Sequence, residues 1–130
     1  MINALGKVFQ PGENIVTQGE VGDCMYVIQQ GEAEVLKDVE GKQIRVDTMR
    51  GGDIFGEIAI VEHTTRSSTV RAITEVHAMT IDRKTFLRRV QEDPSLALNV
   101  LKVMAHRVRS LDQELAVLKQ SIAASGLETG

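Results

Sequence analysis

Gly52-Asp53-Ile54-Phe55-Gly56-Glu57-Ile58-Ala59-Ile60-Val61, continuing through Glu62-His63-Thr64-Thr65 into Arg66-Ser67-Ser68-Thr69-Val70, interrupts an otherwise regular succession of short strands. A glycine ahead of a short helical turn leaves backbone N–H groups open at the start of that turn. Those donors, together with the local dipole, form an anion site. An arginine reaching the same point adds a fixed positive charge with a planar fork of donors. A carboxylate cannot sit on the anion itself, but it is suited to accepting a hydrogen bond from a hydroxyl beside it. Taken alone, Glu57 and Arg66 read first as a surface ion pair across a loop, a common arrangement worth roughly 0–1 kcal/mol. The residues on either side decide between the two.

Working outward, the first two-thirds of the chain reads as β-structure. Runs of apolar and β-branched residues at Asn14–Val16, Met25–Gln29, Glu32–Lys37, Ile44–Met49, Ser68–Ala72 and Val76–Ile81 are separated by Pro11-Gly12, Gly19, Gly22-Asp23, Gly31, Glu40-Gly41 and Gly51-Gly52-Asp53. Strands at roughly 8–12-residue spacing with turn residues between them predict a sandwich or barrel. Alternation in Ala33-Glu34-Val35 and Ile44-Arg45-Val46 gives one dry and one wet face. Asp38-Val39-Glu40-Gly41-Lys42 reads as a hairpin loop.

Beyond Asp82 the period changes, and no glycine appears until Gly126. Arg83–Gln91 reads as a short helix and Ser95–Ile122 as a long one, started by Asp93-Pro94; residues 123–130 read as a flexible tail. The spacing predicts a single domain: a β-roll over about 8–82 with the interrupted segment at 54–70, then helices over 83–122. In the long helix Leu101, Met104, Val108, Leu111, Leu115, Leu118 and Ile122 recur at spacings of three and four, a heptad seam. With Leu101, Val108, Leu115 and Ile122 at a, and Met104, Leu111 and Leu118 at d, Arg107 would face Asp112 and Glu114 would face Lys119 across a parallel dimer. The competing reading packs the stripe on the chain's own roll, above all from Leu98 to Met104.

The ordered set Phe55-Gly56-Glu57-Ile58-Ala59 and Arg66-Ser67-Ser68-Thr69-Val70 resembles the phosphate-binding cassette of cyclic-nucleotide-binding domains, the family of catabolite activator protein and the regulatory subunit of protein kinase A. Gln18-Gly19-Glu20, Gly22-Asp23, Met25-Tyr26-Val27-Ile28, Gly31-Glu32-Ala33-Glu34-Val35 and Ile81-Asp82-Arg83-Lys84-Thr85-Phe86 extend the resemblance in order over roughly residues 8–120. It implies a double-stranded β-roll followed by a short and a long helix. It also implies a cyclic nucleotide as ligand, cAMP in preference to cGMP. Arg66 would pair with the cyclic phosphate, Glu57 would take the ribose 2′-OH, and backbone amides near Gly56, Ile58 and Ala59 would complete the cradle beside Phe55. Ser67, with Ser68 after it, would touch phosphate or base, and Val35 and Val46 would form an apolar wall. Arg107 falls where a family arginine approaches the ligand, so it is either a ligand residue or an interchain partner. Thr65 stands where a proline is frequent, Ser67-Ser68 where kinase-type members have alanines, and Leu111-Asp112 where catabolite activator protein has a Thr-Ser pair on adenine.

Composition bounds the alternatives. The 130 residues are 42% hydrophobic and 25% charged, with no Trp, one Tyr and three Phe, so the core must be aliphatic. A net charge of −3 argues against nucleic acid or an anionic membrane as a general partner. Only a short tail follows Ile122, too short for the helix-turn-helix of the bacterial relatives: a complete chain is expected to stand alone and not to read DNA, whereas a piece of a longer one would have its output domain elsewhere. Cys24 is the one cysteine; it makes no internal disulfide and suits a reducing, cytoplasmic compartment. His63, His77 and His106 share no metal-ligand spacing, and no nucleophile motif is present, so an enzyme, a cofactor or a metal is not expected. The remaining alternative is a roll that serves as an interaction and dimerisation module for another ligand or none. In the signalling reading, capture shifts the helices and some effector protein or domain receives the change.

Overall fold

The computed structural model describes residues 5–62 and 65–126. Eight strands and three helices follow in the order β1 (Leu5–Phe9), β2 (Asn14–Val16), β3 (Cys24–Gln30), β4 (Glu32–Val39), β5 (Lys42–Arg50), β6 (Ile54–Phe55), α1 (Glu57–Glu62), β7 (Thr69–Ala72), β8 (Val76–Asp82), α2 (Arg83–Glu92) and α3 (Ser95–Ser125) among the described residues. The strands make two antiparallel sheets, β1-β8-β3-β6 and β2-β7-β4-β5. The fold is thus the β-roll with a short and a long C-terminal helix that the sequence implies.

Side chains alternate across each sheet, so Tyr26, Ile28, Phe55, Val76 and Ala78 of one sheet meet Val16, Ala33, Val35, Met49, Val70 and Ala72 of the other in a single apolar core. Ile28 and Val76 are fully enclosed. On the far face of the first sheet, Met25, Ile60 and Ile81 make a second cluster with Val27, Ile54 and Phe86 against it. That cluster fastens α1 and the first part of α2 to β3 and β8. Each fully buried aliphatic side chain contributes about 1.5–3 kcal/mol.

The strands differ from the sequence expectation in instructive places. β1 was not expected, because its five residues include Gly6 and Lys7 and it is an edge strand that pairs only with β8. β6 is two residues long, too short for any periodicity. The expected five-residue loop is a two-residue turn, since Val39 pairs with Lys42. Glu40 and Gly41 both take positive φ, 50° and 79°, as a turn that follows the strand twist requires.

Two compact units divide between Arg88 and Arg89, inside α2. In the second, α3 starts where expected: the Asp93 carboxylate accepts from the Ser95 N–H at 3.1 Å and from its hydroxyl at 2.6 Å. Its end is a correction. Residues 123–125 are helical, not a flexible tail, because Ala123 and Ala124 are strong helix formers. Gly126 then closes the helix in the left-handed region, donating to the Ala123 carbonyl at 3.2 Å. Residues 127–130 and His63 lie outside the described residues. Leu101, Val108, Leu111, Leu115, Leu118 and Ile122 are all exposed on α3, as is Val117, which is off the seam; Met104 is half-buried.

Candidate functional site

Arg66 is the centre of the site. It precedes β7, and its backbone is stitched to the loop ahead of β3: its N–H donates to the Glu20 carbonyl at 2.7 Å and its carbonyl accepts from Gly19 at 2.9 Å. Thr69 Oγ1 accepts from the Gln18 N–H at 3.0 Å and extends the seam. So anchored, the side chain turns inward and is only 8% exposed. Nη2 donates to the Cys24 carbonyl at 2.8 Å, with Cys24 Sγ at 3.8 Å, and Nη1 donates to the Gly56 carbonyl at 3.3 Å. Cζ lies 5.8 Å from the centre of the Tyr26 ring, within cation–π range.

Two glycines make the slot. A Cβ on Gly22 would fall on the guanidinium itself. A Cβ on Gly56 would stand 2.7 Å from Nη1 and 3.0 Å from the Cys24 carbonyl, and Gly56 has φ of +87°. Any side chain at either place would expel the arginine or bend the backbone.

Glu57 follows Gly56 directly as the first residue of α1. It is buried, and its Oε2 is shut off from solvent. The surface ion pair is therefore excluded, since both side chains are inside. Among the described residues the polar partners of the guanidinium are carbonyl oxygens and a sulfur rather than a carboxylate. The guanidinium, always protonated, thus sets one positive charge against these main-chain dipoles.

Aromatic rings floor this arrangement. Phe55 stacks on Tyr26 at 5.0 Å and 10°, and Phe9 meets Tyr26 edge-on at 6.5 Å. Burial pushes the Tyr26 hydroxyl up to about 12; its bond to the Cys24 side chain adds to this and the Arg66 charge opposes it.

The other expected residues divide. Ile58 is exposed and Ala59 lies in α1. Ser67 is exposed, and its carbonyl accepts from Lys37 Nζ at 3.2 Å; Ser68 is half-buried. Val35 is buried opposite Val70. Val46 is 48% exposed at a bulge in the edge strand β5, where Leu36 faces Arg45 and Val35 faces Asp47. Arg107 stands on α3, in the second compact unit. Sequence reasoning missed the part played by Gly22, Cys24 and Tyr26. Cys24 touches Arg66 through both its carbonyl and its sulfur. Only the Gly22-Asp23 turn carried a signal, and it did not say what the glycine faces. No group of three or more His, Cys, Asp or Glu among the described residues could hold a metal ion.

The family model described as the cyclic nucleotide-binding domain matches residues 6–93, well over half the chain. The chain belongs to that family. This cyclic nucleotide-binding domain is 41% identical over 81 residues to the cAMP-dependent protein kinase regulatory subunit of Schizosaccharomyces pombe, a match covering 62% of this chain and 19% of that one. It is 32% identical over 123 residues to the CRP-like cAMP-activated global transcriptional regulator of Mycobacterium tuberculosis, covering 90% of this chain and 55% of the regulator. Its fold matches the crystal structure of Thermus thermophilus catabolite activator protein with a TM-score of 0.81 at 23% identity, over 89% of this chain and 55% of that one. The domain thus spans about a fifth to a half of the length of these curated relatives. Those relatives are regulatory proteins. No helix among the described residues is long and apolar enough to cross a membrane.

Proposed function

We propose that the domain is a cyclic-nucleotide sensor that binds cAMP in preference to cGMP and passes occupancy to its C-terminal helices. The observation that carries this is the pair of buried charges on either side of Gly56, with the Arg66 guanidinium held by dipoles in a two-glycine slot. A cyclic nucleotide complements both halves: its phosphodiester carries one negative charge for Arg66, and its ribose offers a 2′-hydroxyl for Glu57. Gly56 and the first turn of α1, with Ile58 and Ala59, supply the main-chain donors. Val35 and Val46 face the ligand, and Ser67 and Ser68 border it. The preference for cAMP rests on the two relatives whose names state it, the cAMP-dependent kinase subunit and the cAMP-activated regulator.

Capture of the anion redistributes the bonds of Arg66 and tightens the segment from Gly56 to Arg66. The helices then respond as a population shift, which requires different affinity in the two helix arrangements. The domain acts as a regulator and not as an enzyme. Its thiol Cys24 suits the cytoplasm.

Titration calorimetry with both nucleotides tests the reading. One cAMP per chain, bound more tightly than cGMP, is expected. Absence of heat from both nucleotides, with no rise in melting temperature, favours a roll that serves as an interaction module only.

A homodimer through α3 belongs to the same proposal, because the exposed Leu111, Leu115 and Leu118 continue the seam begun at Leu101, Met104 and Val108. An apolar stripe of that length in water calls for cover. Light scattering should give twice the chain mass, and Leu111→Glu with Leu118→Glu should halve it. A parent of single-chain mass, or a double variant of unchanged dimer mass, removes the seam.

A further inference from the structure

Arg83, the first residue of α2, holds two segments that also hold the charges of the site. Its side chain donates from Nη1 to the Ile60 carbonyl at 3.0 Å. Ile60 lies in α1, the helix that Glu57 begins, and the last carbonyls of a helix have no partner within it. A cation there is favoured by charge as well as by the hydrogen bond. Its main-chain N–H donates to the Asp23 carbonyl at 2.9 Å. The next carbonyl along, that of Cys24, is the one that accepts from Arg66 at 2.8 Å. Adjacent peptide groups are thus shared between the guanidinium of the anion slot and the first amide of α2. The two routes from the site, through α1 and through Asp23–Cys24, converge on one residue. The rest of the first turn is fixed independently, by the Asp82 carboxylate accepting from the Thr85 N–H at 2.7 Å, so removing the Arg83 side chain leaves the helix start intact.

We infer that Arg83 is a positioning residue that couples occupancy of the Glu57–Arg66 site to α2. This rests on the cyclic-nucleotide reading above. When the anion draws Arg66 from the Cys24 carbonyl and α1 settles on the sugar, the Asp23–Cys24 peptide and the Ile60 carbonyl change their hold on Arg83, and α2 responds. Arg83 itself touches no part of the ligand.

The test combines calorimetry with hydrogen exchange on the intact chain, with and without cAMP. In the parent, cAMP should slow amide exchange in both α1 and α2. In Arg83→Met, cAMP affinity should stay within about threefold, less than a typical coupling of 5–150-fold, and protection of α1 should persist while the ligand-dependent protection of α2 disappears. Arg83→Lys, which keeps a cationic donor, should restore part of it. Should the Met variant fold poorly, Arg83→Gln supplies the same comparison at nearly the same size. Undiminished protection of α2 in both neutral variants overturns the inference, and so does a parent that binds cAMP without protecting α2. Equal loss of binding and of protection in both helices shows a merely structural arginine and overturns it too. A parent that binds neither nucleotide defeats the underlying reading, and this inference with it.

Discussion

Around Gly56 the roll encloses a carboxylate and a guanidinium, whereas along α3 the chain leaves Leu101, Val108, Leu111, Leu115 and Leu118 in water. Each region reverses the usual sorting of polar and apolar groups, and each does so at a cost. Taking an ion out of water costs several kcal/mol of hydration even after relaxation. An exposed aliphatic stripe forfeits about 25 cal/mol for every Å² left wet. The difference lies in what supports the exception. Two glycines, two carbonyl oxygens and an aromatic floor hold Arg66 before any ligand arrives. On α3 nothing but the regular spacing of the apolar residues anticipates a partner. The first is a charge held by fixed partners; the second is an apolar stripe left open.

The largest effect should come from removing the charge the roll encloses. Arg66→Ala is expected to weaken cAMP binding by about 2–5 kcal/mol, the range for removing one member of a buried charged pair. Calorimetry at fixed salt measures it, and affinity equal to the parent's would show that the slot holds no phosphate.

The aromatic floor gives a test that needs no ligand. The Tyr26 hydroxyl is raised from 10.0 to about 12 in the folded chain, so the folded state keeps its proton where the unfolded state releases it. Stability tied to this group is complete below pH 10 and is lost as pH climbs toward 12. Urea melts across that window should show the fall, and Tyr26→Phe should flatten it. A Tyr26→Phe variant with the same slope would place the titration elsewhere.

Much of this was legible from residue order. The strand runs, the glycine punctuation and the change of period at Asp82 gave the roll and its helices, because periodicity records which face is buried. Glu57 and Arg66 were legible as a pair from their motif. Their burial was not, since charge in a sequence says nothing of depth. Nor could the neighbours that hold Arg66 be read. Cys24 contributes a main-chain carbonyl, which every residue possesses, and Gly22 contributes the absence of a Cβ, which looks like any turn. β6 escaped because two residues have no period. The last turn of α3 escaped because Ala123-Ala124-Ser125 resembles a tail as readily as a helix end.

That gap makes Gly22 the next point of attack. Gly22→Ala changes no charge and no hydrogen-bonding group, yet its Cβ would fall on the guanidinium. Overpacking of this kind costs about 1–3 kcal/mol. Both the melting temperature and the affinity for cAMP should drop. A variant that melts and binds like the parent would mean that the slot is wider than it looks.

The smallest effect, and the sharpest for the other half of the comparison, concerns register on α3. If two copies pair in parallel along the seam, Glu114 of one faces Lys119 of the other, and symmetry makes that contact twice. Glu114→Lys turns both into repulsions. Exposed ion pairs contribute about 0.2–1 kcal/mol each, so losing two should weaken the dimer roughly two- to thirtyfold, and more at low salt than at high. Lys119→Glu in the same chain should restore it, because the pairs are re-formed with signs exchanged. An antiparallel arrangement would not bring these two positions together, and there the second substitution would fail to rescue the first. Sedimentation across a concentration series separates the outcomes, since the apolar seam is untouched in all three chains and only the charges that set its direction are changed.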